Sequence, residues 1–264
     1  MHHKRTLASY TKNDFIKRPV ALRVYDLLET GIDFEAHHHK WGQLAYTAKG
    51  VALVQTEQGR WLVPPGHAVW IPAEKTHSIN INAAAKFFVL HIDADKTGKM
   101  PPDCCVLEVS PLLASLISHA ESFPAKYEPE TPESRIMAVI LDQMQSAKTA
   151  PLLLPLPTDD RLVKLVSILM NDPADTRDLQ DLSRSIGTSA RNLTRLFKKE
   201  TGMTFGKWRQ QRRIMAAIEL LAEEKTVTEV ALDMGYESVS AFISVFKQII
   251  GVTPSRYFKN VTSE

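Results

Sequence analysis

The stretch SARNLTRLFKKETGMTFGKW, residues 189–208, returns 49 residues later as SVSAFISVFKQIIGVTPSRY, residues 238–257. Internal repetition reveals the structural unit of a chain directly, but two copies are too few for a solenoid. The repeat therefore predicts one small motif used twice, for contact with two equivalent surfaces. Seven positions carry the same or a similar residue in both copies, pairing Ser189 with Ser238, Leu193 with Phe242, Phe197 with Phe246, Lys198 with Lys247, Gly202 with Gly251, Thr204 with Thr253 and Trp208 with Tyr257.

Each copy has the start and stop signals of a helix-turn-helix motif. Ser189 and Ser238 stand where a helix cap is needed, and Gly202 and Gly251 follow the last turn, where a left-handed residue ends many helices. A short helix and a glycine-containing turn precede each cap, which is the plan of a helix-turn-helix. A longer helix over residues 205–222 is predicted to join the two motifs.

Basic residues concentrate in the first copy. Residues 177–213 hold ten Lys and Arg against three acidic residues, a local net charge of +7 in a chain whose overall charge is +2. A basic block on amphipathic helices points to a polyanion partner, although a solvated helix surface is the alternative. Arg191 and Arg195 are one turn apart and project together, and Arg reads guanine in the major groove of DNA.

The C-terminal region resembles the AraC/XylS family of bacterial transcription regulators. The resemblance covers residues of about 158–260 and rests on WRQQRR at 208–213 and on ALDMGYESVSAF at 231–242, with Phe246-Lys247, Gly251 and Thr253-Pro254. It implies one domain that places two helices in successive major grooves on one face of DNA, about 34 Å apart.

The two copies differ where a recognition helix would face the bases, since Arg191 and Arg195 correspond to Ser240 and Ser244. We therefore expect the first copy to supply most direct readout and the second mainly to position the protein. Lysines suit phosphate contacts. The predicted DNA-binding residues are Ser189, Arg191, Asn192, Arg195, Lys198, Lys199, Lys207, Ser238, Ser240, Ser244 and Lys247.

The N-terminal part has short strands at regular spacing over residues 20–95, typical of a small antiparallel barrel or jelly roll. Its histidines have the spacing of the two-part cupin motif, to which the region is similar. That resemblance implies a metal site for Zn, Ni or Fe, because imidazole suits these ions. Gln43 stands where the motif has a carboxylate and Glu74 where it has a glycine, so a barrel without metal is the alternative. The implied ligands are His37, His39, Gln43 and His77.

Two helical stripes follow the strands. Leu112, Leu113, Leu116 and Ile117 form one, and Ile136, Val139, Ile140 and Met144 form the other. Such stripes either pack against the barrel or form a dimer contact. Three prolines between Pro151 and Pro157 prevent a continuous helix and indicate a linker.

The predicted fold is therefore an α+β multidomain protein, with an N-terminal β-barrel of cupin or jelly-roll type and an all-α domain with two helix-turn-helix motifs. Its divisions are a cupin-like sensor barrel at 1–104, a helical dimerisation segment at 105–150, a proline-rich linker at 151–157 and the DNA-binding domain at 158–260. The adjacent Cys104 and Cys105 form no disulfide framework, which fits a cytoplasmic protein. Neither a secretory signal nor an apolar membrane span is evident.

The predicted function is sequence-specific transcription regulation in response to a small molecule or metal, and not enzymatic. The expected partners are a double-stranded operator, a small-molecule effector, a second copy of the chain, and RNA polymerase if the protein is an activator. One alternative is a metal-dependent cupin enzyme with a helical appendage. Another is a constitutive DNA-binding regulator with a vestigial sensor.

Overall fold

The computed structural model describes residues 5–7, 18–27, 32–81, 85–223 and 225–262. The chain divides into two compact units, and it passes from the first to the second between Leu152 and Leu153. The short segment Gln58–Arg60 is grouped with the second unit. The point of passage lies within the predicted linker, where Leu152 and Leu154 are both buried.

The first unit is rich in β-structure. Alternating apolar residues and Gly or Pro turns give short strands, as the sequence indicates. Its strands are β1 Arg5–Leu7, β2 Val20–Leu27, β3 Ile32–His37, β4 Gly42–Lys49, β5 Ala52–Thr56, β6 Gly59–Val63, β7 His67–Ile71, β8 His77–Ile81, β9 Ala85–Ile92, β10 Cys105–Glu108 and β11 Thr149–Ala150. A 3-10 turn spans Ala94–Lys96.

The strands form two separate sheets. One runs in the order β1-β3-β8-β5-β6 and the other in the order β11-β10-β7-β4-β9-β2. β1 pairs with β3 in parallel, whereas the pairs β3–β8, β8–β5, β11–β10, β10–β7, β7–β4, β4–β9 and β9–β2 are antiparallel. Within the described residues no strand pairing joins the sheets into a closed barrel, so the two-sheet jelly-roll form of the prediction is the one that fits.

Two helices cover the second sheet, α1 Pro111–Ala120 and α2 Pro132–Gln145. Their inward stripes join the core around Trp70, Phe88 and Leu90, so most of the residues considered for a dimer contact pack against the sheet instead. The segment 105–150 also contains β10 and β11, and so is not wholly helical as predicted. The stripe residues in the core are Leu113, Ile117, Ile140 and Met144, joined by Met137.

The second unit begins with the short strand β12 Leu153–Pro155 and is otherwise helical. Within the described residues, every helix of the chain is too short or too polar to cross a membrane. The helices of the second unit are α3 Asp160–Asn171, α4 Leu179–Ser185, α5 Ala190–Thr201, α6 Phe205–Ala222, α7 Val227–Asp233, α8 Val239–Ile250 and α9 Pro254–Thr262.

The 49-residue repeat is preserved in three dimensions. Phe197 on α5 meets Trp208 on α6 with ring centroids 5.6 Å apart and planes at 76°. Phe246 on α8 meets Tyr257 on α9 at 5.8 Å and 75°. The prediction of two helix-turn-helix units, α4–α5 and α7–α8, is confirmed.

The predicted caps and stops are present in both copies. The Ser189 hydroxyl accepts a hydrogen bond from the Asn192 N–H, and the Ser238 hydroxyl accepts one from the Ala241 N–H. Gly202 and Gly251 end α5 and α8 at φ of 71° and 89°, in the left-handed region that disfavours side chains.

A substitution at Gly202 separates backbone strain from steric conflict. A Cβ added at Gly202 meets no atom within 4 Å, so Gly202→Ala should cost only the left-handed strain, about 1–2 kcal/mol. Gly206 on α6 also has open space but a helical backbone, so Gly206→Ala should stabilise by about 0.4–1 kcal/mol. Urea denaturation of the helical unit, followed by circular dichroism, should show opposite shifts. Shifts of the same sign would contradict the strain argument.

Candidate functional site

The outer face of α5 presents the basic residues chosen from the sequence. Leu193 and Phe197 are fully buried on the inner face, which leaves Arg191 and Arg195 exposed on the other. The helix therefore offers two guanidinium groups near its N-terminal end, where recognition helices contact base edges. A hydrophobic core holds the helix in place without using these side chains.

The predicted DNA-binding residues lie at the surface of the helical unit. Ten of the eleven are exposed, and only Asn192 is half-buried. Ser189 and Ser238 already use their hydroxyl oxygens as helix caps, at 3.2 Å and 3.1 Å from the capped nitrogens. Their hydroxyl protons stay available to a DNA phosphate, since a hydroxyl both donates and accepts.

Asn192 has a position that the sequence did not indicate. Its amide nitrogen donates to the Thr188 hydroxyl at 2.9 Å, and its amide oxygen accepts from Arg195 Nη2 at 3.0 Å. The side chain thus connects the turn of the motif to the guanidinium of Arg195. A held guanidinium loses less conformational entropy when it binds a base.

The basic block splits into two groups in the structure. Arg177 and Arg184 pair with carboxylates, and Arg212 lies 3.7 Å from Glu219. Arg209 and Arg213 donate to backbone carbonyls around residues 173–177. Among the described residues the remaining five have no acidic partner within 4.0 Å. These available cations are Arg191, Arg195, Lys198, Lys199 and Lys207.

Asp175 organises the first group. It is buried, its carboxylate accepts from the N–H and the Nε of Arg177 at 2.8 and 2.9 Å, and Arg209 Nη2 lies 3.6 Å away. The hydrogen bond from the Arg177 side chain, with the charge of that residue and of Arg209, lowers the pKa of Asp175. The local charge of +7 therefore overstates what is free to meet DNA.

The first unit contains a histidine cluster between the two sheets. One ring nitrogen each of His37, His39 and His77 lies within 4.8 Å of the others. Ring centroids are 4.4 Å apart for His37 and His77, and 5.0 Å for His39 and His77. The structure thus brings together the three histidines of the motif.

Backbone carbonyls fix how the three rings present themselves. The Nδ1 atoms of His37, His39 and His77 lie 2.7, 2.7 and 2.9 Å from the carbonyl oxygens of Glu35, Trp41 and Lys75. A neutral imidazole that donates from Nδ1 has its lone pair on Nε2. The Nδ1 contacts that commonly orient metal-binding histidines are therefore in place for all three.

The electrostatics of the cluster keep its buried rings neutral. Burial lowers the pKa of His77 to about 3 and also lowers the pKa of His39. His77 is 1% exposed, and among the described residues its buried Nε2 has no hydrogen-bond partner. Neutral imidazoles with an unshared nitrogen are ligands for borderline transition metals, so these residues fit such an ion.

The fourth residue implied by the sequence, Gln43, is also in the cluster. It is buried, and its amide oxygen is placed 3.0 Å from His39 Nε2. A neutral His39 that donates to Trp41 cannot donate to Gln43 as well, so the Gln43 amide turns its NH2 group to the ring in that state. Gln43 thus hydrogen-bonds His39, one of the predicted metal ligands.

Two residues of the cluster were missed by the sequence argument. His91 is buried on β9 and lies with its ring centroid 6.2 Å from that of His39, and Trp41 stacks on His39 at 4.8 Å. Burial, together with the charge of nearby His39, lowers the pKa of His91 to about 3. The available signal was a histidine inside the otherwise apolar run FFVLHI, residues 87–92.

Comparison with known proteins places both units in one family. A model for an AraC-like ligand binding domain matches residues 19–138, and one for a helix-turn-helix domain matches residues 182–260. The HTH-type transcriptional regulator NimR of Escherichia coli (strain K12) is 32% identical over 263 residues, 100% of this chain and 96% of its own length. RipA of Corynebacterium glutamicum is 34% identical over 103 residues, 39% of this chain and 31% of RipA.

Among solved structures, the chain is similar to ToxT of Vibrio cholerae with a bound unsaturated fatty acid. The two share 16% identity at a TM-score of 0.39, covering 93% of this chain and 96% of the other. The family follows from the sequence relatives and the domain matches. The chain belongs to the AraC family of transcriptional regulators. It has a DNA-binding helix-turn-helix region and a domain for a small-molecule effector, and it is a regulator rather than an enzyme.

The Asp175 cluster gives a pH-dependent prediction. Asp175→Asn removes the charge on which Arg177 and Arg209 converge, and it should destabilise the helical unit by about 2 kcal/mol at neutral pH. Because folding lowers the pKa of Asp175, its contribution is present above the pKa of the unfolded carboxyl and is lost as pH falls through the folded value. The urea midpoints of unfolding of the wild type and of Asp175→Asn should therefore converge at low pH.

Asp181→Asn is the matched control, because Asp181 and its partner Arg184 are both largely exposed. An exposed pair contributes less than about 1 kcal/mol. Equal losses from the two substitutions would show that burial of Asp175 contributes nothing.

Proposed function

We propose that the two helix-turn-helix units read DNA unequally, with α5 supplying most base contacts and α8 mainly positioning the protein. The observation that carries the proposal is the pairing of Arg191 with Ser240 and of Arg195 with Ser244. All four side chains are exposed at matching positions on helices with matching caps. The two helices thus differ in the residues on their outer faces, while the same kinds of cap and core residue hold both in place.

Arg195 is the strongest base-reading residue in this proposal. Its guanidinium is held by Asn192 at 3.0 Å, and a bidentate Arg to guanine contributes about 1–3 kcal/mol of discrimination. Arg191, one turn earlier, is the second. In this scheme Asn192 acts through Arg195 as a positioning residue.

The remaining predicted residues suit the DNA backbone. Lys198, Lys199, Lys207 and Lys247 are exposed cations that fit phosphates as point charges. Ser189 and Ser238, at the N-termini of α5 and α8, offer hydroxyls beside unpaired backbone N–H groups, which favour a phosphate. These contacts would make binding dependent on salt without reading sequence.

Arg195→Ala tests the asymmetry, with Ser244→Ala as the matched variant in the second copy. We expect Arg195→Ala to lose about 1–3 kcal/mol of discrimination at one or two base pairs, because the bidentate contact is gone. Ser244→Ala should lose less than about 1 kcal/mol. An operator selected with the wild type, and its single-base variants, would be measured by fluorescence anisotropy at fixed salt. Equal losses from both variants would refute unequal reading.

We propose in addition that the ligand of the first unit includes a divalent transition metal, Zn, Ni or Fe, held by the three clustered histidines with Gln43 beside them. The support is the convergence of three imidazoles, each with a ring nitrogen within 4.8 Å of the others. Such a ligand changes transcription only if it binds two arrangements of the protein with different affinity. A regulator with a vestigial sensor would bind its operator equally with and without metal.

We further propose that the protein acts as a homodimer, and that it contacts RNA polymerase if it is an activator. The proposal keeps the domain division predicted from the sequence and places the dimer contact on α1 and α2. The support is residual exposure. Leu112 on α1 and Val139 on α2 stay 55% and 43% exposed while the rest of their stripes pack inward.

Val139→Arg tests the dimer. A cation at the centre of an apolar contact has no partner there, so we expect the dissociation constant to rise at least tenfold. Sedimentation velocity over a range of concentrations would measure it. Leu232→Arg is the control, because Leu232 is 67% exposed on α7 in the helical unit. A wild-type monomer, or equal effects of both variants, would overturn this location.

A further inference from the structure

We propose that His91 is the fourth ligand of the metal site and that Gln43, at the position where the cupin motif has a carboxylate, is a positioning residue. This inference rests on the metal proposal made above. It changes the donor set from three imidazoles and one oxygen to four imidazoles. His91 belongs to neither part of the motif, so the spacing of the sequence does not include it.

The strand register places His91 at the right point. β4 and β9 pair antiparallel, and Gln43 on β4 lies directly opposite His91 on β9. Directly opposite residues lie on the same face of a sheet, with Cβ atoms about 4.5–5.5 Å apart. Gln43 is within hydrogen-bond distance of His39. His91 therefore lies beside a residue that contacts the cluster.

Ring separations support a shared ion. Two imidazoles on one metal place their centroids about 4.5–6.4 Å apart as the angle at the metal widens from 90° to 180°, because the metal–nitrogen bond is about 2.0–2.1 Å. The His39–His91 separation of 6.2 Å and the His39–His77 separation of 5.0 Å fall in this range, and His37–His77 at 4.4 Å lies at its edge. His91 is outside the 4.8 Å group of ring nitrogens and joins it by a side-chain rotation.

The surroundings also favour an imidazole ligand at this place. His91 is buried, with Trp41 at a ring separation of 5.5 Å, and Trp41 also stacks on His39. Trp41 therefore contacts both rings and limits their movement. A neutral amide oxygen is a weaker ligand for Zn²⁺ or Ni²⁺ than imidazole, whereas oxygen ligands suit Mg²⁺ and Ca²⁺. Four nitrogen ligands would make the site select borderline transition metals over these two abundant ions.

Gln43 has a different task in this arrangement. With the ion on His39 Nε2, the Gln43 amide is displaced from that nitrogen and is free to hydrogen-bond elsewhere in the cluster. Its contact with His39 holds that ring in the metal-free protein, so its loss should weaken metal binding without changing the number of imidazoles on the ion. Loss of His91 should change that number.

The test is metal binding by the full-length protein. Zn²⁺ affinity would be measured by competition with a chromophoric chelator, and the number of imidazoles by X-ray absorption of the Zn²⁺ complex. The variants are His91→Phe, which keeps the ring volume, Gln43→Ala, and His77→Phe. His38→Phe is the control, because His38 is a neighbouring histidine with an exposed side chain. Thermal melting of each apo protein would verify folding.

We expect four imidazoles in the wild type and in Gln43→Ala, and three in His91→Phe with affinity reduced by about 100-fold or more. His38→Phe should match the wild type. Three imidazoles on the ion in the wild type would overturn the role of His91 but not the metal site. This outcome is measured on the wild type alone, so it does not depend on whether a variant folds. Wild-type protein that takes up no Zn²⁺, or that is unaffected by His77→Phe, would overturn the metal site itself.

Discussion

The helical unit depends on an edge-to-face contact between two aromatic residues, made once in each copy. One residue lies on the second helix of the motif, and the other lies on the helix that follows. Phe197 meets Trp208 in the first copy, and Phe246 meets Tyr257 in the second, at nearly the same distance and angle. Trp208 is fully buried and also donates to the Pro155 carbonyl at 2.8 Å. The orientation of α5 is therefore set from its inner face, and its outer face is left exposed to solvent.

Local signals made much of this unit predictable from sequence. Ser189 and Ser238 act through atoms three residues away, and Gly202 through its own backbone, so a single sequence contains the information. The contacts that occupy half of the basic block were predictable only in part, because Arg177 and Arg184 pair within three residues whereas Asp175 meets Arg209 from 34 residues away. A charge count along the sequence treats all the basic residues alike. Only the fold distinguishes a guanidinium that hydrogen-bonds backbone carbonyls from one that is exposed.

The histidine site shows the same limit in the first unit. The spacing of His37, His39 and His77 predicted their convergence, since they follow a known pattern. His91 could not be found that way, because its closeness to Gln43 arises from the register between β4 and β9. Barrel closure was also beyond the sequence, since alternating apolar strands fit both a closed barrel and two separate sheets. Which edges pair is decided by hydrogen bonds between distant strands.

The separation between supporting and exposed positions in the repeat has an evolutionary consequence. Capping serines, buried aromatics and terminal glycines carry the folding energy, while positions 191, 195, 240 and 244 lie outside the core. Exposed positions on a supported helix accept most residues with little change in folding free energy. If these positions contact the bases as proposed, a mutation there would alter the preferred operator without lowering protein abundance. The two copies can therefore diverge in sequence at these positions independently of each other.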